Sequence, residues 1–96
     1  MKTFEVTRSI PPEILHAVLT EIERAKAKFP QWPKCIIQSA AIVSEESGEL
    51  IRAAIQVTYE GGNESECKKE AIQTACVAFR FLEAVESNSH IYLKTY

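Results

Sequence analysis

The placement of helix-breaking residues constrains this chain more than any other feature. It contains three glycines and four prolines in 96 residues, and they are clustered. Pro11-Pro12 lie near the start, Pro30 and Pro33 bracket Gln31-Trp32, and Gly61-Gly62 form the single glycine pair. Proline ends a helix because it lacks an N–H and its ring collides with the preceding turn. Glycine ends one by adopting left-handed backbone cheaply. Between these breakers run three long stretches, interrupted only by Gly48. The spacing predicts three helices, over about 11–28, 33–60 and 64–85.

The apolar periodicity agrees with that division. In the first stretch Ile14, Leu15, Val18, Leu19, Ile22 and Ala25 recur at helical spacing, forming one stripe. Glu13 complements the positive end of the helix dipole, and Lys26 and Lys28 the negative end. The second stretch carries two stripes: Ile36, Ala40, Val43, Leu50, Ala54 and Val57 with Ser47 in the gap, and Ile37, Ala41, Ile51 and Ile55 on another side. A helix apolar on two sides expects burial on two sides. In the third, Asn63 is a good N-cap and Glu66 resembles its capping-box partner. Ile72, Ala75, Cys76, Phe79, Leu82 and Val85 form the stripe, and Ser87-Asn88-Ser89 is expected to end it. Thr3–Thr7 and Ile91–Lys94 alternate weakly and read as short extended segments.

The expected fold is therefore all-α. Residues 1–96 form a single helical domain, with a core over about 11–86 and short extensions at both ends. A chain this short buries only about two-thirds of its unfolded surface. Three helices also do not close a four-helix bundle. Homo-oligomerisation, as a homodimer or a dimer of dimers, is expected to complete a four-helix-type bundle.

Composition excludes several function classes. Lys+Arg 11 against Asp+Glu 13 leaves a formal charge of −2, which argues against a nucleic-acid polymer as partner. No apolar run approaches the roughly 20 residues that span a bilayer, so no membrane partner is expected. Met1-Lys2-Thr3-Phe4-Glu5 shows no signal-peptide pattern. Cys35, Cys67 and Cys76 are an odd set at wide spacings, which suits reduced thiols and a cytoplasmic location.

The chemistry-bearing candidate is Glu45-Glu46-Ser47-Gly48-Glu49, set in the apolar second helix. Glu46 and Glu49 are three apart, Glu45 and Glu49 four apart, so both pairs are neighbours on a helix surface. Like charges there destabilise, and more so when buried. A divalent cation would offset the repulsion, Mg²⁺ in particular, since it prefers carboxylate oxygens with water and phosphates. The alternative is a solvated face with Arg52 or a lysine as counter-charge. On the third helix Glu66, Glu70 and Gln73 share a face. Antiparallel packing about Gly61-Gly62 would bring Gln73 to the height of Glu49, with Glu70 opposite Arg52 and near enough for side-chain reach to share a site.

Glu45-Glu46-x-x-Glu49-Leu50 followed by Glu70-x-x-Gln73 resembles the all-α nucleotide pyrophosphohydrolase superfamily of MazG and the dimeric dUTPases. The short MazG-like proteins of bacteriophages and bacteria are the most similar group. Phe29-Pro-x-Trp-Pro33, the Tyr59-Glu60-Gly61 turn and the run from Glu70 to Glu83 share that resemblance, which covers about residues 29–83. It implies a hydrolase that cleaves a nucleoside triphosphate to the monophosphate and pyrophosphate with Mg²⁺ or Mn²⁺. Glu45, Glu46, Glu49 and Glu70 would be catalytic. Glu46, Glu49, Glu70 and Gln73 would hold the metal, with Glu45 as an outer ligand or water-orienting base. Gln73 departs from the family's aspartate. Its amide carbonyl coordinates weakly and cannot act as a base. Glu66, one turn earlier, is a candidate to compensate. The rival reading is a non-catalytic nucleotide- or protein-binding helical dimer with a degenerate metal site. Trp32, Lys34, Lys69 and Arg80 are the candidates to meet substrate. His16 and His90 lack any acid or nucleophile at a useful spacing.

Overall fold

The computed structural model describes residues 9–94, with side chains through residue 87. The expected extended segment at 3–7 lies outside the described residues. Three helices follow in order: α1 (Pro12–Lys28), α2 (Ile36–Tyr59) and α3 (Glu64–Lys94). The described residues contain no strand, and no helix among them is long and apolar enough to cross a membrane.

The boundaries have local causes. Pro12 stands at the first position of α1, where its missing N–H is no loss. Helix α2 starts three residues later than the sequence suggests. Cys35 is extended at φ −89, ψ 126 and serves as the cap position. At the other end Gly61 takes φ +71, and the Gly62 N–H donates to the Gln56 carbonyl at 2.7 Å. That close return requires glycine at 62, since a Cβ there would sit 2.9 Å from the Gln56 carbonyl carbon. Asn63 caps α3 as expected, its Oδ1 accepting from the Ser65 N–H at 2.8 Å.

Helix α3 does not stop at Ser87-Asn88-Ser89. It runs on to Lys94, through the stretch read as extended. Serine and asparagine are only mildly unfavourable inside a helix, and no glycine or proline follows to end it.

Helix α3 packs against both α1 and α2. It returns antiparallel to α2 after the glycine turn. It runs in the same direction as α1, with Glu21 against Gln73 and Lys26 against Glu83. The core is thin. Ala25, Ala53 and Cys76 are its buried apolar residues, joined by Ser39 and Arg80. On α2 the seam against α3 is Ser39, Val43, Glu46, Leu50, Ala53 and Val57, while Ala40 and Ala54 are exposed. No described residue covers the second stripe: Ile37 is 61% exposed and Ile51 58%.

Candidate functional site

The seam between α2 and α3 carries a carboxylate where an apolar residue would be expected. Glu46 sits on the α3-facing side of α2, half-buried. Its carboxyl is held above the usual carboxylate range. Burial is the main cause, followed by the negative charges of Glu70, Glu49, Glu45 and Glu21. Carboxylates from three helices thus act on one group.

Thr74 fixes the register there. Its hydroxyl lies 2.8 Å from the Glu70 carbonyl and 3.1 Å from the Glu46 carbonyl. Equal counting from Gly61 placed Glu49 opposite Gln73. In the structure Glu46, fifteen residues before Gly61, meets Thr74, thirteen after it. Glu46 rather than Glu49 is therefore the carboxylate drawn into the seam. Glu45 and Glu49 are exposed, and Glu70 is half-buried.

Gln73 does not face α2 alone. Its Nε2 donates to Glu21 Oε2 at 2.7 Å. Glu21 also accepts two bonds from Arg24, at 3.0 and 2.6 Å. The Arg24 bonds hold the Glu21 carboxyl below its usual range, burial opposes them, and the Gln73 amide assists. Glu21 is therefore an ionised carboxylate beside the position where the family pattern has an acid. Sequence reasoning missed it. The available signal was its place on the apolar stripe of α1, between Val18 and Ala25 at spacings of three and four.

An open recess of about 370 Å³ lies between α1 and α3, lined in part by Thr20, Glu21, Lys69 and Gln73. Lys69 stands at its edge, 4.0 Å from Glu66. Glu66 is thus drawn toward Lys69 on the exposed side. His16 borders the same recess, 3.4 Å from the Thr20 hydroxyl. His90 lies outside the described side chains.

The remaining substrate candidates lie elsewhere. The Trp32 Nε1–H donates to the fully buried Ser39 hydroxyl at 2.7 Å. The Arg80 guanidinium lies over the Trp32 ring, 4.8 Å from its centre, and donates to the Phe29 carbonyl at 2.8 Å. Both side chains pin the 29–35 loop to the bundle. Lys34 is exposed on that loop.

The donor set consists of oxygen atoms, the chemistry that suits a hard cation. Among the described residues, no three His, Cys, Asp or Glu side chains are grouped closely enough to hold an ion by themselves. Mg²⁺ usually takes one or two protein carboxylates and completes its shell with water and substrate phosphates. A carboxylate pair therefore meets its ordinary need. Compared with known proteins, the chain matches no family model, no curated protein and no solved structure.

Proposed function

We propose that the chain is a Mg²⁺-dependent nucleoside triphosphate pyrophosphohydrolase-like protein. It would cleave a (d)NTP to the (d)NMP and pyrophosphate, with Mn²⁺ as a substitute metal. The observation that carries this reading is the half-buried Glu46, pressed by burial and by four neighbouring carboxylates. A fold without a bound cation gains nothing from that arrangement. The motif resemblance supplies the reaction.

In this reading Glu46 would hold the ion together with Glu70 or Glu49, and Glu45 would orient water. Gln73, its amide N–H₂ turned to Glu21, offers only its carbonyl. Lys69, at the recess, meets phosphate. Trp32 and Arg80 instead hold the 29–35 loop, which carries Lys34, against the bundle. The chemistry Mg²⁺ supplies when bound is neutralisation of phosphate charge and activation of the attacking water. The three free thiols suit a reducing, cytoplasmic location. Self-association, as a dimer or dimer of dimers, completes the bundle.

One observation favours the second reading, a non-catalytic nucleotide- or protein-binding dimer. The Gln73 amide serves as a bridge to Glu21 rather than as an acid. Incubation with a panel of dNTPs and Mg²⁺, read by pyrophosphate release, separates the two. Release that disappears in Glu49→Gln supports the enzyme. Absence of turnover, with Mg²⁺-nucleotide still raising the melting temperature, supports the binder. No response to either ligand overturns both.

A further inference from the structure

Helix α2 has two opposite faces. At about 100° per residue, the seam toward α3 centres about 200° around the axis from a second set: Ile37, Ala41, Ser44, Gly48, Ile51 and Ile55. All six are exposed. They alternate at spacings of four and three over most of a 24-residue helix, the repeat of a helix–helix seam. Among the described residues nothing asks for the small residue at its middle. A Cβ on Gly48 would meet nothing within 4 Å, although glycine costs a helix about 1 kcal/mol.

Two charges flank this face. Glu45 and Arg52 are one heptad apart and both exposed. Among the described residues no ion pair engages either. Their order matters. When two copies of α2 run antiparallel, Glu45 of one falls beside the partner's Arg52, and the two-fold axis makes that pair twice. The same register sets Ser44 opposite the partner's Ile55 and Gly48 opposite the partner's Ile51, so each small residue receives a large one. A slip of one heptad sets Ser44 against the partner's Gly48 and leaves a void. It also brings Glu45 against the partner's Glu45. A parallel pairing sets Gly48 against the partner's Gly48.

We propose that this face is a self-complementary interface, where two copies of the chain pair antiparallel along α2 with Glu45 against the partner's Arg52. The thin core is the reason the chain needs it. This rests on the self-association in the proposed function and gives it a surface and a register.

Sedimentation and light scattering on the full chain, without nucleotide or metal, test the pairing. The wild type is expected to be dimeric, or a higher even-numbered assembly. Glu45→Arg alone and Arg52→Glu alone each place two like-charge pairs in the interface and weaken it at least about tenfold, roughly 1.4 kcal/mol or more. The combined E45R/R52E variant restores the pairs and returns to near wild-type affinity. Both positions are exposed, and circular dichroism checks that every variant keeps its helix. A monomeric wild type, single variants that associate unchanged, or a double variant no tighter than the singles overturns the proposal. A monomer that still releases pyrophosphate overturns this interface and the self-association, and leaves the catalytic reading standing. A dimer inert toward nucleotides overturns only the catalytic reading.

Discussion

Glu46→Gln should make the protein more stable at neutral pH, against the usual trend for substitutions at a packed seam. Glutamine keeps the length and hydrogen-bonding capacity of the side chain and removes only its charge. Glu49, three residues on, is a like-charged neighbour of the kind that costs about 0.2–0.5 kcal/mol on a helix. Glu70 and Glu21 add repulsion from two other helices, and burial, the largest contribution, raises the cost of the ion. Together these come to about 1 kcal/mol, or roughly 4–8 °C in melting temperature for a chain near 100 residues.

The pH dependence follows from the direction of the shift. The folded-state pKa of Glu46 lies above its ordinary value of 4.5. Between those two values the folded chain holds a proton that the unfolded chain has released. Stability therefore falls as pH rises through that window and stays lower above it. Below 4.5 the carboxyl is neutral in both states, and the advantage of the variant vanishes. Thermal unfolding followed by circular dichroism, at fixed protein concentration and without divalent cations, measures both effects. The gain should also shrink at high salt, because the repulsive part is screened. A variant that melts no higher than wild type at pH 7.5, or a gain equally large at acid pH, refutes the reasoning. Adding Mg²⁺ tests the site by the same assay: it should raise the melting temperature of the wild type and leave Glu46→Gln almost unmoved.

Other substitutions probe the framework around the site. Trp32→Phe removes the donor to the buried Ser39 hydroxyl and should cost about 1–2 kcal/mol, read as a lower urea midpoint at unchanged slope. Gly62→Ala places a methyl 2.9 Å from Gln56 atoms and should cost about 1–3 kcal/mol, whereas a neutral result would mean the turn can reopen. Glu21→Gln should lower the melting temperature by a few degrees above pH 5. Because the Glu21 carboxyl is held below its ordinary value by Arg24 and Gln73, its contribution is present above the unfolded value and lost as pH falls through the folded one. The curves of wild type and Glu21→Gln should therefore converge under acid, and curves that stay parallel down to pH 3 would show that the charge is not responsible.

The helices and the turn between α2 and α3 were legible because their causes are local. Pro12, Gly61, Gly62 and Asn63 act through backbone geometry within a few residues, and the sequence displays them directly. The far end of α3 was less legible. Ser87-Asn88-Ser89 resembles a stop, but residues that are merely poor helix formers do not end a helix without a true breaker. The start of α2 was also less legible: Cys35 is extended at the cap position, and the Trp32 bond to Ser39 ties the preceding loop back onto the first turn.

The candidate site was half legible. The acidic motif on α2 and the Glu70-x-x-Gln73 pair are visible as spacing, and their helices do meet. Which carboxylate enters the seam depends on register, and the Thr74 hydroxyl sets that between two helices. Glu21 comes from a third helix far away in sequence, so no local pattern links it to Gln73. Arg80 shares a helix with Glu70 and Gln73, but the Trp32 ring and the Phe29 carbonyl engage it elsewhere.

By itself, then, the sequence determined the all-α class, the three helices, the glycine turn and the presence of apolar residues on more than one side of α2. These follow from helical period and breaker chemistry, which need no partner. The tertiary structure decided which face of α2 meets α3, that Glu46 carries the repulsion, and that Gln73 is tied to Glu21. Those outcomes depend on the rotation and offset of one helix against another, and a few ångströms of sliding exchange one neighbour for the next without changing any local signal.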